Sequence, residues 1–137
     1  MADIVYDKFK EYMGDGTIDM DNDTFKILLL DDGHTPLATH DDYSDIIGDE
    51  LANGNGYTTG GETLASVTWG DTAGVTKFDA ANVSWTSATF TARYAVVYSD
   101  TSTTDKLVVL IDFTENKVVS GGTFTITFHA SGILTVT

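Results

Sequence analysis

The chain has 137 residues, no cysteine, and 21 acidic against 7 basic side chains, which gives a formal net charge of −14. The missing cysteines exclude disulfides, cysteine-type zinc sites and thiol nucleophiles. The charge disfavours binding to nucleic acid or to anionic membranes, both of which need clustered Lys and Arg, and favours cationic partners or divalent cations. Residues 1–50 hold 14 of the acids and 3 of the bases, so the acidity is concentrated in the first third.

The first segment, residues 1–16, is predicted to be a helix or an arm. Apolar side chains in residues 2–13 recur at helical spacing, and the Gly-Asp-Gly at 14–16 ends the pattern. The alternative is an extended arm that lies on another subunit. No signal segment follows Met1, and the longest apolar run, 107–111, is too short to span a bilayer, so we expect a soluble chain made in a cytoplasm. The candidate interface residues of this segment are Ile4, Tyr6, Phe9 and Tyr12.

The next segment, residues 17–63, reads as an acidic strand-and-loop region. An acidic turn at 19–23 leads into a buried-strand candidate at 25–30. A loop around Pro36 follows, with a short helical turn predicted at 43–47. The glycine-rich connection at 54–61 is best explained by turns that need positive φ, since it lacks the lysine of a phosphate loop.

Residues 64–137 read as a β-rich core. Apolar and Thr residues alternate along 122–137, which predicts a strand with one face in the core and one in water, broken if anywhere at 131–132. Residues 106–113 (KLVVLIDF) are apolar on both faces, which indicates a central strand. We therefore predict a mainly β, single-domain antiparallel β-sandwich or small barrel with a short N-terminal helix or arm. The other predicted strands are 64–69, 75–78, 83–85 and 89–98.

Two groups of side chains are candidate metal ligands. Asp19, Asp21 and Asp23 have the spacing of the first half of a calcium loop, but the required Gly and Glu are Thr24 and Leu30, so turn formation is the favoured interpretation. His34 and His40 lie among several Asp residues without an established ligand spacing. A solvated loop is the favoured interpretation there, ahead of an interaction loop and of a metal site.

The remaining candidates are aromatic side chains and the single arginine. The aromatic residues form either a glycan-stacking platform or, as is commoner in β-sandwiches, part of a core or subunit interface. Arg93 is predicted to make an ion pair, within the subunit or across an interface. No nucleophile motif is present, so we expect neither an enzyme nor a cofactor. The aromatic residues considered are Tyr57, Trp69, Trp85, Tyr94 and Tyr98.

Four stretches of the sequence form a familiar pattern: IDMDNDTFKILLLDDGHTPLATHDDYSDI (18–46), ELANGNGYTTGGETL (50–64), NVSWTSATFTARYAVVYSDT (82–101) and the final GGTFTITFHASGILTVT. Together they resemble small virion structural proteins of tailed bacteriophages. The resemblance implies a particle component, most specifically a capsid decoration (cement) protein on the outer shell of the virion. It implies a homo-oligomer that binds the major capsid protein or another virion protein, and no catalytic residue is carried over. The alternatives are a tail, neck, head–tail connector or head-fibre component, and a glycan- or metal-binding β module.

Overall fold

The structure is a computed structural model that describes residues 3–137, and it is mainly β, as predicted. Two antiparallel sheets and one short helix form a small β-sandwich. The elements in chain order are β1 (Ile4–Val5), α1 (Asp7–Asp15), β2 (Phe25–Leu30), two single-turn 3₁₀ helices (Tyr43–Asp45 and Ile47–Asp49), β3 (Glu62–Thr63), β4 (Thr68–Thr72), β5 (Val75–Asp79), β6 (Val83–Ser99), β7 (Leu107–Ile126) and β8 (Leu134–Val136).

The N-terminal segment differs from the predicted helix over 2–13, of which Ala2 lies outside the described residues. Ile4 and Val5 pair with Leu110 and Val109 of β7, because β-branched side chains suit a pleated surface that already has a buried partner. The helix begins only at Asp7 and ends at Gly16, whose φ of 85° is the left-handed cap that glycine favours. The predicted helix is therefore shifted, and its first apolar pair belongs to the sheet.

The larger sheet has the order β1-β7-β6-β2-β3 and is built on a hairpin of two long strands. The sequence predicts 83–85 and 89–98 as separate strands, but β6 is continuous through a bulge near Ser87, whose φ is 49°. In β7, the four residues 113–116 bulge opposite one residue of β6, Arg93. The strand β7 therefore continues through residues that the sequence pattern places between two separate strands. Bulges absorb the extra residues and bend the hairpin without ending it.

Residues 83–92 of β6 and 117–126 of β7 form the part of the hairpin that we call the ribbon. The neighbouring strand β2 covers β6 only along residues 94–99, and β1 covers β7 only at residues 109–110. Among residues 3–137, no strand pairs with the outer edge of β7 from Phe113 to Ile126. The ribbon thus has two strands and extends past the rest of its sheet.

The smaller sheet has the order β4-β5-β8, and the C-terminal strand β8 pairs with β5. Of the predicted strand at 64–69, only residues 68–69 belong to a strand, the start of β4, because β3 ends at Thr63. The predicted strand over 122–137 is interrupted at residues 127–133. Gly132, with a φ of 93°, lies in that interruption, close to the predicted break. The two sheets meet at Phe25 and Phe78, whose rings are 5.0 Å apart, and one buried cluster runs through both.

Candidate interaction site

The three carboxylates at 19–23 form a turn and do not converge. Asp19 Oδ1 accepts hydrogen bonds from the backbone N–H groups of Asp21 and Asn22, at 3.0 and 3.2 Å, and Asp19 Oδ2 accepts one from the Asn22 side chain at 2.9 Å. The Asn22 amide, followed by these backbone donors, lowers the pKa of Asp19 below its ordinary value. Asp23 accepts a 2.6 Å hydrogen bond from the Ser99 hydroxyl. The turn is thereby tied to the end of β6.

His34 is the one buried side chain in a loop that is otherwise exposed or partly exposed over residues 31–42, so the predicted solvated loop holds for the segment but not for His34. Its side chain is 1% exposed, its Nδ1 lies 2.8 Å from Asp49 Oδ2, and its ring packs edge to face on Tyr94 at 5.8 Å. The His40 ring lies 5.5 Å away, and His34 Nε2 is buried without a protein hydrogen-bond partner. The imidazole fixes the loop on β6 through packing and one polar contact. Within residues 3–137, no group of three or more His, Cys, Asp or Glu is placed to hold a metal ion.

A part-buried ion pair holds the next part of the loop against the helix. Lys106 Nζ lies 2.9 Å from Asp41 Oδ2 and 5.0 Å from the centre of the Tyr12 ring, and the Tyr12 hydroxyl donates to Asp41 Oδ1 at 2.7 Å. Burial works to raise the pKa of Asp41, but the Lys106 and Tyr12 hydrogen bonds outweigh it and the pKa is lowered. The hydrogen bond to Asp41 raises the pKa of Lys106. Helix α1, the loop and β7 are joined at this point.

Glu50 is the centre of a third network, which sequence reasoning missed. Its Oε2 accepts hydrogen bonds from the Tyr57 hydroxyl at 2.5 Å and the Gly60 N–H at 2.7 Å, and its Oε1 accepts one from the Tyr43 hydroxyl. Burial, and then the hydrogen bonds to Glu50, raise the pKa of both tyrosines above the ordinary value. Leu29 of β2 donates its N–H to Tyr57 Oη at 3.2 Å, which links the glycine-rich connection to the sheet.

These contacts hold two acidic segments, which we call the acidic loops: residues 19–23 before β2 and residues 31–50 after it. The acidic loops contain ten Asp and Glu residues and no Lys or Arg. The carboxylates of Asp41, Asp49 and Glu50 are occupied by internal hydrogen bonds. Asp21 and Asp32 are exposed, although Asp32 Oδ2 also accepts a hydrogen bond from the Asn116 side chain at 2.9 Å. Because the backbone beneath is anchored at several points, the exposed carboxylates are displayed on a surface with little conformational freedom to lose.

The candidate interface residues of the N-terminal segment are used mostly for internal packing. Tyr6 and Phe9 are each 1% exposed and lie in the core, which corrects their assignment as surface contacts. They are buried because α1 packs on the domain to which it belongs and does not extend away from it as an arm. Ile4 and Tyr12 are partly buried. Among these four residues, Tyr12 comes nearest to the acidic loops, through its hydrogen bond to Asp41.

Arg93 and most of the candidate platform aromatics also serve the interior. Arg93 Nε lies 3.4 Å from Asp112 Oδ1, and its guanidinium lies 5.2 Å from the centre of the Tyr94 ring. The ion pair of Arg93 is thus within the subunit, one of the two arrangements that the sequence allowed. Of the candidate platform residues, Tyr57, Trp85, Tyr94 and Tyr98 are buried and only Trp69 is partly exposed, so they do not form a glycan platform.

Comparisons with known proteins add no assignment: no family model, no curated protein and no solved structure matches the chain. In residues 3–137, neither α1 nor the 3₁₀ helices have the length and apolar character needed to cross a bilayer.

Proposed function

We propose that the chain is a structural protein of a tailed-phage virion, specifically a capsid decoration (cement) protein that binds the outer shell and stabilises it. The observation that carries the proposal is the pair of acidic loops, whose two segments contain ten carboxylates and no Lys or Arg. The networks of His34, Lys106 and Glu50 anchor residues 31–50, and the Ser99 hydroxyl holds residues 19–23 through Asp23. The sequence resemblance to virion structural proteins supports the same class.

The acidic loops suit a basic protein surface better than DNA. Carboxylates are repelled by phosphate, so a protein of this charge favours the outside of a DNA-filled shell. Exposed Asp21 and Asp32 complement Lys and Arg of a partner, which raises the association rate and sets orientation. Because the anchored backbone is already ordered, binding costs less conformational entropy than it would for a flexible acidic segment.

The mechanism is stabilisation by mass action. A protein that binds the assembled shell and not its separated subunits shifts the equilibrium towards the shell by RT ln(1 + [L]/Kd) per site. Contacts repeated by the symmetry of the capsid add up, so that each contact needs only a modest area. The partner in this mechanism is the major capsid protein or another protein of the shell.

The direct test mixes the purified protein with capsids that lack it and measures the bound copy number by quantitative gel and particle imaging. We expect a fixed number of copies per capsid and binding that weakens as salt is raised. The variant Asp21→Asn with Asp32→Asn should lower affinity. The control, Asp7→Asn with Asp71→Asn, removes the same charge from exposed positions outside the acidic loops and should bind more nearly like the native chain.

If no capsid binds the protein, and mass spectrometry of separated particles finds it only in tails, the decoration role is wrong and a tail or neck role replaces it. If both double variants weaken binding equally, net charge rather than the acidic loops determines recognition.

A further inference from the structure

The ribbon has almost no charge, although the whole chain carries a net charge of −14. Residues 83–92 contain no ionisable side chain, and residues 117–126 contain only Lys117. Lys117 Nζ lies 2.7 Å from Glu115 Oε1, so this charge is already compensated next to the ribbon. All 21 acidic residues lie outside the ribbon, which makes it the region where two copies of this chain approach each other with the least repulsion.

The outer edge of β7 in the ribbon offers unpaired backbone groups. Thr89 donates its N–H to Asn55 O at 2.8 Å, on the side of β6 away from β7. Backbone groups alternate along a strand, so the N–H of Phe90 points to β7, where its partner is Val119. The N–H groups of Val118 and Ser120 therefore point outward, to an edge that no described strand covers.

This edge has few of the features by which proteins protect a strand from pairing. It contains no proline and one lysine, and Gly121, with a φ of 63°, gives one local irregularity. Val118, the most exposed large apolar side chain of the described residues at 73%, stands beside it. Protected edges are short, charged or covered, whereas this one continues for nine uncharged residues, 118–126, after Lys117.

From this geometry we infer that the outer edge of β7, residues 118–126, pairs with the same edge of a second copy of the chain. An antiparallel pair of identical edges is isologous, so one two-fold axis satisfies both copies and closes the assembly as a dimer. The paired ribbons form a four-stranded sheet, and the acidic loops lie outside the contact. The second copy is favoured over an acidic or basic partner because the edge has no charge to complement. The inference does not rest on the proposed virion role.

Cysteine scanning tests the pairing directly, because the native chain has no cysteine to interfere. Single variants Val118→Cys, Ser120→Cys and Thr123→Cys place a thiol beside the outer edge, and Thr86→Cys places one on β6. Opposed residues of an antiparallel pair have Cβ atoms about 4.5–5.5 Å apart, close to the separation that a disulfide spans. Mild oxidation should cross-link at least one β7 variant into dimers, and Thr86→Cys should stay monomeric on a denaturing gel.

Sedimentation velocity over a concentration series provides the second test. The native chain should sediment as a dimer that dissociates on dilution. Ser120→Asp places like charges at the dimer contact and should raise the dissociation constant about tenfold, equivalent to ~1.4 kcal/mol, whereas Thr86→Asp should have a smaller effect. A native chain that stays monomeric, cross-linking through Thr86→Cys alone, or equal effects of the two Asp variants would overturn the inference. Failure of capsid binding would leave it unaffected.

Discussion

Gly61 occupies a position where no side chain fits, and replacing it with alanine should destabilise the fold strongly. A Cβ on Gly61 would lie 1.9 Å from the carbonyl oxygen of Ile27 and 2.7 Å from Leu28 Cα, both of which are backbone atoms of β2. The φ of Gly61 is 80°, which costs an L-residue about 1–2 kcal/mol. Moving the backbone to relieve the overlap adds about 1–3 kcal/mol, so we expect a total of about 2–5 kcal/mol.

Urea unfolding followed by circular dichroism measures this loss. With a slope of about 2 kcal/mol per molar urea, the unfolding midpoint of Gly61→Ala should fall by about 1–2.5 M. Gly14→Ala is the matched control, because Gly14 lies in α1 with nothing within 4 Å of the added Cβ. Gly14→Ala should raise the free energy of unfolding by about 0.5–1 kcal/mol, because alanine is favoured over glycine inside a helix. Equal midpoints for the two variants would refute the close approach of the glycine-rich connection to β2.

Three further predictions concern the networks beneath the acidic loops. Glu50→Gln, which weakens the acceptor of several hydrogen bonds, should lower the free energy of unfolding by about 1–3 kcal/mol in urea titrations, and an unchanged value would contradict its central place. Folding lowers the pKa of Asp41 and raises the pKa of Lys106. Their ion pair therefore stabilises the fold fully at pH values between the pKa values of the unfolded chain, about 3.9 for Asp and 10.4 for Lys. The stability difference between native chain and Lys106→Met should thus be constant near neutral pH and shrink as pH falls below about 4, whereas a pH-independent difference would argue against the ion pair. Burial raises the pKa of Tyr43 and Tyr57, so the folded chain at about pH 11 should show less tyrosinate absorbance than the urea-unfolded chain, and stability should fall as pH rises above about 10. Identical absorbance would contradict the burial of these hydroxyls.

The sequence predicts the strands whose local pattern matches their final burial. The run at 25–30 is apolar except for Lys26 and becomes β2, which is buried along most of its length. The predicted strand at 106–113 supplies the start of β7, which lies between β1 and β6. The alternation of apolar and polar residues does not predict that β6 and β7 are continuous. A bulge adds a residue to one strand, so the positions that face the core change from odd to even numbers or the reverse. Ser87 and the polar residues 114–116 read locally as loop, and only pairing with the other strand of the hairpin keeps them in the sheet.

The networks were less predictable than the strands, because their partners meet only after folding. Nothing in the spacing of His34 indicates that Asp49 will reach its Nδ1. Glu50 has one sequence signal, since Tyr43 and Tyr57 lie seven residues before and after it, but this spacing matches no established motif. Composition shows that the region is acidic, whereas the division between anchored and exposed carboxylates depends on contacts that form only in the folded chain.

The pairing of β1 with β7 has a consequence for how the chain folds during synthesis. Ile4 pairs with Leu110, so the first strand stays without its partner until more than a hundred further residues have been made. The apolar β2 also waits for residues 94–99. Contacts between residues so distant in sequence slow folding and leave apolar segments exposed in the meantime. We therefore expect the nascent chain to fold late and to engage chaperones until the hairpin has left the ribosome.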